Sequence, residues 1–166
     1  MKRPRKSSVQ QLAHFTIRVF PHELQSVRAF YVEVLGLTEG RRPDFDFPGH
    51  WLYLGDNPIV HLAGNAPADE PSMDGEASTG KFNHVAFECK GLVGMRAHLK
   101  RQGVRYSEAP VPGFPLTQVF LRDPAGIMVE LTYDINELPV DERTKLNGTT
   151  SRPHPMGQRD PFASQS

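Results

Sequence analysis

The sequence predicts an α+β fold in which two βαβββ modules pair and curve their strands into one barrel-like mixed sheet around a cleft. Three observations predict it. The chain echoes itself at half its length: His14 in Leu-Ala-His-Phe-Thr-Ile returns as His84 in Phe-Asn-His-Val-Ala-Phe, 70 positions later, and His61 in Ile-Val-His-Leu returns as Glu130 in Met-Val-Glu-Leu, 69 positions later. Each half also shows the same order of apolar patterns, a strand, a helix and then three strands. Residues 64–80, rich in Ala, Pro, Asp, Ser and Gly, lie between the halves and read as a linker. A repeat of this length is the mark of one supersecondary unit used twice.

The elements follow in order. Residues 1–10 are polar and basic, without periodicity, and read as a flexible tail. Residues 12–20 alternate and stop at Pro21, which marks a strand. Over 22–35, Leu24, Val27, Phe30, Tyr31, Val34 and Leu35 recur at three- and four-residue steps, the period of an amphipathic helix, and Gly36 supplies its stop. Residues 37–62 hold three shorter strands, broken by Pro43, by Pro48 and Gly49, and by Asp56, Asn57 and Pro58. The pattern restarts with a strand at 82–89. A helix at 91–102 follows, with Leu92, Met95 and Leu99 on one face and Gly103 as its stop. Strands near 104–108, 116–122 and 127–133 complete the second half. The modules are therefore residues 11–63 and 81–134, within one domain at 11–134. From 135 to 166 the chain is polar and carries Pro139, Pro153, Pro155 and Pro161, the composition of a tail that is disordered or that orders by lying across a neighbour.

Composition removes several classes of function. Lys plus Arg and Asp plus Glu both number 19, so the chain lacks the basic face that a nucleic-acid binder needs. The basic run Lys2 to Lys6 is read as a solvated part of the tail. No apolar run approaches the ~20 residues of a membrane span, and the N-terminus lacks the apolar stretch of a secretory signal. The single cysteine, Cys89, excludes an internal disulfide and fits a reducing, cytoplasmic setting. It sits on a strand and reads as a small apolar residue rather than a nucleophile.

Alternate side chains of a strand share a face. His14 lies with Thr16 and Arg18, His84 with Ala86 and Glu88, His61 with Ile59, and Glu130 with Met128 and Thr132. A single histidine in an apolar strand is ordinarily a hydrogen-bonded structural residue, and a buried carboxylate needs a partner. Four ligand-type side chains at matched places in two modules point instead to one shared centre. Three imidazoles and a carboxylate suit one divalent transition ion (iron, zinc, nickel, cobalt or manganese) and suit calcium poorly. Of the other histidines, His22 reads as part of a helix cap, His98 as an exposed helical residue and His50, beside Trp51, as a pocket residue. Arg18, Tyr53, Gln118 and Arg122 are the substrate-binding candidates; Arg18 and Gln118 stand on strands near the ligand positions and can anchor an anion or carbonyl. Trp51, Phe47 and Phe114 read as core packing or as an apolar pocket wall.

The segments Leu-Ala-His-Phe-Thr-Ile, Phe-Tyr-Val-Glu-Val-Leu-Gly-Leu, Phe-Asn-His-Val-Ala-Phe and Phe-Leu-Arg-Asp-Pro-Ala-Gly-Ile-Met-Val-Glu-Leu resemble the vicinal oxygen chelate superfamily over residues 12–133. That superfamily includes glyoxalase I, extradiol dioxygenases, fosfomycin-resistance transferases, methylmalonyl-CoA epimerase and bleomycin-binding proteins. The resemblance implies paired βαβββ modules with a metal in the cleft. Position by position, it makes His14, His84 and Glu130 the two-histidine, one-carboxylate set, and places His61 where glyoxalase I has a second glutamate. It implies a metal-dependent lyase or isomerase of glyoxalase type, in which the ion chelates vicinal oxygens of a small substrate and Glu130 moves a proton. An iron(II)-dependent extradiol-type dioxygenase is the alternative. A small-molecule binding or bleomycin-resistance protein is a second, which the full ligand set argues against. Open sheet edges and a proline-rich tail predict a homodimer.

Overall fold

The period-two runs of both halves become strands, and each half builds its own four-stranded sheet. The computed structural model describes residues 11–67 and 82–147, without the side chains of 144–147. The first module runs β1 (Phe15–Arg18), α1 (Leu24–Ala29), β2 (Thr38–Gly40), β3 (Gly49–Leu54) and β4 (Asn57–Ala63). The second runs β5 (His84–Cys89), α2 (Leu92–Gln102), β6 (Tyr106–Pro110), β7 (Leu116–Arg122) and β8 (Met128–Asp134). The sheet orders, β1-β4-β3-β2 and β5-β8-β7-β6, are the same topology twice. In each, the first strand lies parallel to the last and the other pairs are antiparallel. The fold is therefore α+β with paired βαβββ modules. No strand of one sheet pairs with a strand of the other among the described residues, so the barrel-like sheet expected from sequence is two open half-sheets and not a closed barrel.

The helices follow their apolar periods. Leu24, Val27, Phe30, Tyr31 and Val34 are all buried, as the spacing requires of a core-facing stripe. The helix predicted over 22–35 is, however, regular α only to Ala29; Phe30–Val34 forms a π turn, in which the Leu35 N–H donates to the Phe30 carbonyl at 3.2 Å. The extra residue widens the last turn before Gly36, whose φ of 79° reverses the chain. Gly103, at φ 67°, ends α2 with the Val104 N–H on the Leu99 carbonyl at 3.0 Å, the usual six-to-one closure.

The core takes one face of each sheet. Ile17, Leu52, Val60 and Leu62 from the first sheet, and Val119, Leu121, Val129, Leu131 and Tyr133 from the second, are buried with the helices. Besides the shared core, these contacts join the modules. The Tyr31 hydroxyl donates to Asp123 Oδ2 at 3.0 Å, the Phe15 and Phe87 rings lie 6.4 Å apart, and His98 Nε2 meets the Glu33 carbonyl at 2.9 Å. His98 is thus a link between modules and not the solvated residue its helical position suggested. It serves a carbonyl inside the π turn, where regular helix hydrogen bonding is broken.

The C-terminal segment departs from the sequence expectation. Residues expected to be a polar tail from 135 form a 3-10 turn, Ile135–Glu137, and a helix, α3 (Val140–Asn147). Ile135 and Leu138 are buried in the core, and Arg96 of α2 bridges Glu108 of β6 and Glu142 of α3 at 2.6 and 2.9 Å. Two apolar residues and one ion-pair bridge were too sparse a signal to outweigh the polar average of the segment. The N-terminal tail at 1–10, most of the linker and residues 148–166 lie outside the described residues. Among the described residues, no helix is long and apolar enough to cross a membrane.

Candidate functional site

The face of each sheet opposite the helices carries the ligand-type residues. On the second sheet, strand registry sets Ala86 and Phe120 on either side of Glu130, and Glu88 and Gln118 on either side of Thr132. On the first, it sets Thr16 and Trp51 on either side of His61. This face is open along the first strand of each module: Thr16, Arg18, Ala86 and Glu88 are exposed.

The second module forms a defined polar pair. Glu130 is 4% exposed. Its Oε2 lies 3.1 Å from His84 Nε2, and its Oε1 accepts from Gln118 Nε2 at 2.6 Å and Thr132 Oγ1 at 2.7 Å. The other ring nitrogen of His84 faces Asn83 Oδ1 at 2.9 Å. An Nδ1–H donated to Asn83 leaves a lone pair on Nε2, directed at a carboxylate oxygen. Either a proton on Nε2 or a cation held by both atoms accounts for a separation of 3.1 Å.

The first module forms an aromatic stack. His61 lies flat between two rings, Trp51 at 4.0 Å and 4° and His14 at 3.9 Å and 19°. Trp51 continues outward to Phe45 at 6.4 Å, and Phe45 stacks on Phe47 at 5.3 Å. Arg42 lies over both phenylalanines and donates to the Phe47 carbonyl at 2.7 Å, which fixes this loop. His61 Nε2 is buried and, among the described residues, has no hydrogen-bond partner. Burial first, and then the charge of His14, push its imidazole below the ordinary value, while a hydrogen bond to the Pro58 backbone acts the other way. The ring is therefore neutral near pH 7. Because Nε2 has no partner, the Pro58 bond falls to Nδ1, and Nε2 keeps its lone pair. A neutral, desolvated imidazole with an unengaged nitrogen is the form that binds a transition ion.

The donor chemistry of both pairs thus fits a divalent transition ion. The structure brings His14 together with His61, and His84 together with Glu130. Among the described residues, no three His, Cys, Asp or Glu side chains gather at one point. Near-parallel stacked rings direct their nitrogens along separate lines, so His14, which is exposed, has to turn before it can share an ion with His61.

The substrate-binding candidates divide. Arg18 stands on the open face. Gln118 reaches Glu130 directly. The Tyr53 hydroxyl donates to the Arg41 carbonyl at 2.7 Å, and Arg122 Nη1 donates to the Gly126 carbonyl at 2.6 Å, holding the turn before β8. His50 pairs with Glu39 at 2.5 Å, a carboxylate also held by Arg28 at 2.6 Å, on the helix side of the first sheet. His22 stacks on Phe20 at 5.6 Å. Cys89 is half-buried, and burial pushes its thiol up, away from nucleophilic character. Sequence reading did not assign a role to Thr132 or Asn83, and left Trp51 between core and wall. Alternation from Glu130 places Thr132 on its face, but only strand pairing shows that Gln118 stands opposite it.

A sequence model of the Glyoxalase/Bleomycin resistance protein/Dioxygenase superfamily matches residues 11–131, and the chain belongs to that superfamily. Glyoxylase I 4 of Arabidopsis thaliana is 35% identical over 114 residues, which are 67% of this chain and 64% of that relative, so the chain spans just under two thirds of the relative's length. A glyoxalase family protein from Bacillus anthracis superimposes with a TM-score of 0.61 at 20% identity, over 78% of this chain and 98% of that one. A mutant of the fosfomycin resistance protein FosX from Listeria monocytogenes, complexed with Mn(II) and 1S,2S-dihydroxypropylphosphonic acid, superimposes with a TM-score of 0.59 at 16% identity, over 83% and 99%. At these identities the two structures establish the shared fold.

Proposed function

We propose that the protein is a metal-dependent enzyme of lyase or isomerase type that acts on a small substrate bearing two neighbouring oxygens. The observation that carries this reading is the buried Glu130 carboxylate with one oxygen 3.1 Å from His84 Nε2. The name of the Arabidopsis relative and the Mn(II) complex of FosX support it. His84, Glu130, His61 and His14 would hold the ion, which when bound supplies a Lewis acid for the two substrate oxygens.

The chain's own groups do the rest. Glu130 Oε2 is the oxygen placed to take a proton from substrate and return it. Asn83 orients His84, and Trp51 fixes the His61 ring. The stack of Trp51, Phe45 and Phe47 excludes water from one side and offers an apolar wall to a substrate. Arg18, on the open face, is placed to meet an anionic substrate group.

The single tryptophan is a built-in reporter, because it lies 4.0 Å from His61. Titrating metal-free protein with Ni(II) is expected to quench Trp51 emission by more than about half, and His61→Ala is expected to abolish that response. Emission that ignores Ni(II), together with metal-free protein as purified without a chelator or a histidine tag, would reject the metal reading.

A homodimer is part of the proposal, since the two ligand pairs stay apart within one chain and the open face is uncovered. Sedimentation at micromolar concentration is expected to show twice the monomer mass; monomer alone would sink this element. An iron(II)-dependent extradiol-type dioxygenase is the second reading. It is favoured by the clamping of His61 under Trp51, which leaves His14, His84 and Glu130, a set that suits iron in oxygenases. Oxygen uptake by iron-loaded protein with catechols, and no turnover of thiohemiacetals, would select it.

A further inference from the structure

The two oxygens of Glu130 are treated differently. Gln118 Nε2 and Thr132 Oγ1 donate to the same atom, Oε1, at 2.6 and 2.7 Å. A carboxylate oxygen has two lone pairs in the plane of the group, so two short donors saturate Oε1. Among the described residues, Oε2 meets His84 Nε2 alone. Water has little means of replacing these donors, since Glu130 is 4% exposed and Phe120, buried at 1%, stands directly opposite it on β7.

The device belongs to the second module only. Gln118 and Thr132 face each other across β7 and β8. The matching positions of the first module, 69 residues earlier, are Gly49 and Ala63, which face each other across β3 and β4 and carry no polar side chain. The histidine that stands there in place of Glu130 has its Nε2 without a partner among the described residues. A pair of donors therefore occurs where the residue is a carboxylate and is absent where it is an imidazole. Core packing does not explain that difference, because neither Gln118 nor Thr132 is fully buried.

We propose that Gln118 and Thr132 are positioning residues that tie Glu130 Oε1, so that Glu130 works as a one-oxygen group through Oε2 alone. The consequence is twofold. Toward an ion, the carboxylate is monodentate. Toward substrate, Oε2, when no ion holds it, would be the one oxygen that takes and returns the proton, because two donors hold Oε1 in place. This inference rests on the reading of Glu130 as the reactive carboxylate, and it moves Gln118 from substrate contact to control of that carboxylate.

The test is Ni(II) affinity by calorimetry on the full chain, with the infrared difference spectrum of Ni(II)-loaded minus metal-free protein as an independent readout. Thr132→Val and Gln118→Leu are each expected to weaken Ni(II) binding by about 10- to 100-fold, the usual cost of losing an outer-shell partner. Thr132→Ser, which keeps the hydroxyl, is expected to stay within about threefold of the parent. The parent spectrum is expected to show the wide splitting of carboxylate stretches typical of monodentate binding, and the two apolar variants a narrower, bidentate splitting. Folded Val and Leu variants with unchanged affinity and splitting would overturn the clamp. Glu130→Gln with unchanged affinity would overturn instead the reading of Glu130 as a ligand. If the parent takes up no Ni(II), crystal structures decide: a Glu130 carboxylate that keeps its orientation in Thr132→Val removes the clamp, and one that turns upholds it.

Discussion

Glu130→Gln is expected to lower kcat/KM by about 10²- to 10⁴-fold on any α-hydroxycarbonyl or thiohemiacetal that the parent turns over, the range attributed to a positioned general base. The substitution is nearly isosteric. The amide oxygen of the new side chain can still accept from Gln118 and Thr132, so the fold is expected to lose no more than about 1 kcal/mol. What disappears is the proton acceptor beside His84. The measurement is a full kinetic comparison, with circular dichroism and thermal melting to confirm that the variant is folded. Unchanged turnover in a folded Glu130→Gln variant would remove Glu130 from the chemistry and leave its burial as a purely structural fact.

The second large effect concerns stability. Asp123 is buried in the turn before β8, where its Oδ1 accepts from the Ile127 N–H at 2.8 Å and its Oδ2 from the Tyr31 hydroxyl at 3.0 Å. Burial dominates these hydrogen bonds and pushes its carboxyl up from 3.8 to about 6. The same burial, with the charge of Asp123, raises Tyr31 well above its ordinary value, so the phenol stays a donor. Below about pH 3 the Asp123 carboxyl is protonated both in the folded and in the unfolded chain. Between about pH 4 and 6 the unfolded chain releases this proton while the folded chain keeps it, so stability contributed by the protonated form is lost as pH rises. The loss amounts to about 3 kcal/mol once pH exceeds 6. Asp123→Asn cannot titrate. The stability of the parent minus that of the variant, from urea unfolding, is therefore expected to fall by about 3 kcal/mol between pH 3 and 7. A difference that stays flat, or rises, would show that Asp123 is not desolvated in the folded protein. The contact joins the first module's helix to the second module's turn, so this prediction also reports on the seam between modules.

The candidate site was partly legible in the sequence. The 70- and 69-residue echoes identified His14, His61, His84 and Glu130, because equal places in repeated units fall on equal places in the sheets. The roles of their neighbours were not legible. Gln118 reads as a substrate contact on an open strand, and only registry shows it opposite Thr132 and in reach of Glu130. Trp51 reads equally well as core, since a sequence does not say which face of β3 the helices cover. Tyr53 and His50 lie close in sequence to Trp51 yet are bound to Arg41 and Glu39. Their hydrogen bonds depend on β2 and on the loop after it, segments with little pattern of their own.

The amino-acid sequence by itself determined the fold class, the pair of βαβββ modules, the helix and strand order and the four ligand-type positions. Each of these depends on local period or on internal repetition, and both are properties of the chain read along its length. The tertiary structure decided the rest. It separated the four ligand-type side chains into a stacked pair and a carboxylate pair, left the half-sheets open, packed Ile135 and Leu138 into the core, and gave Glu130 one oxygen bound by two donors and one facing His84. Those outcomes turn on strand registry, ring orientation and the contacts between modules, which come from residues far apart in sequence whose side chains meet only when both sheets have formed.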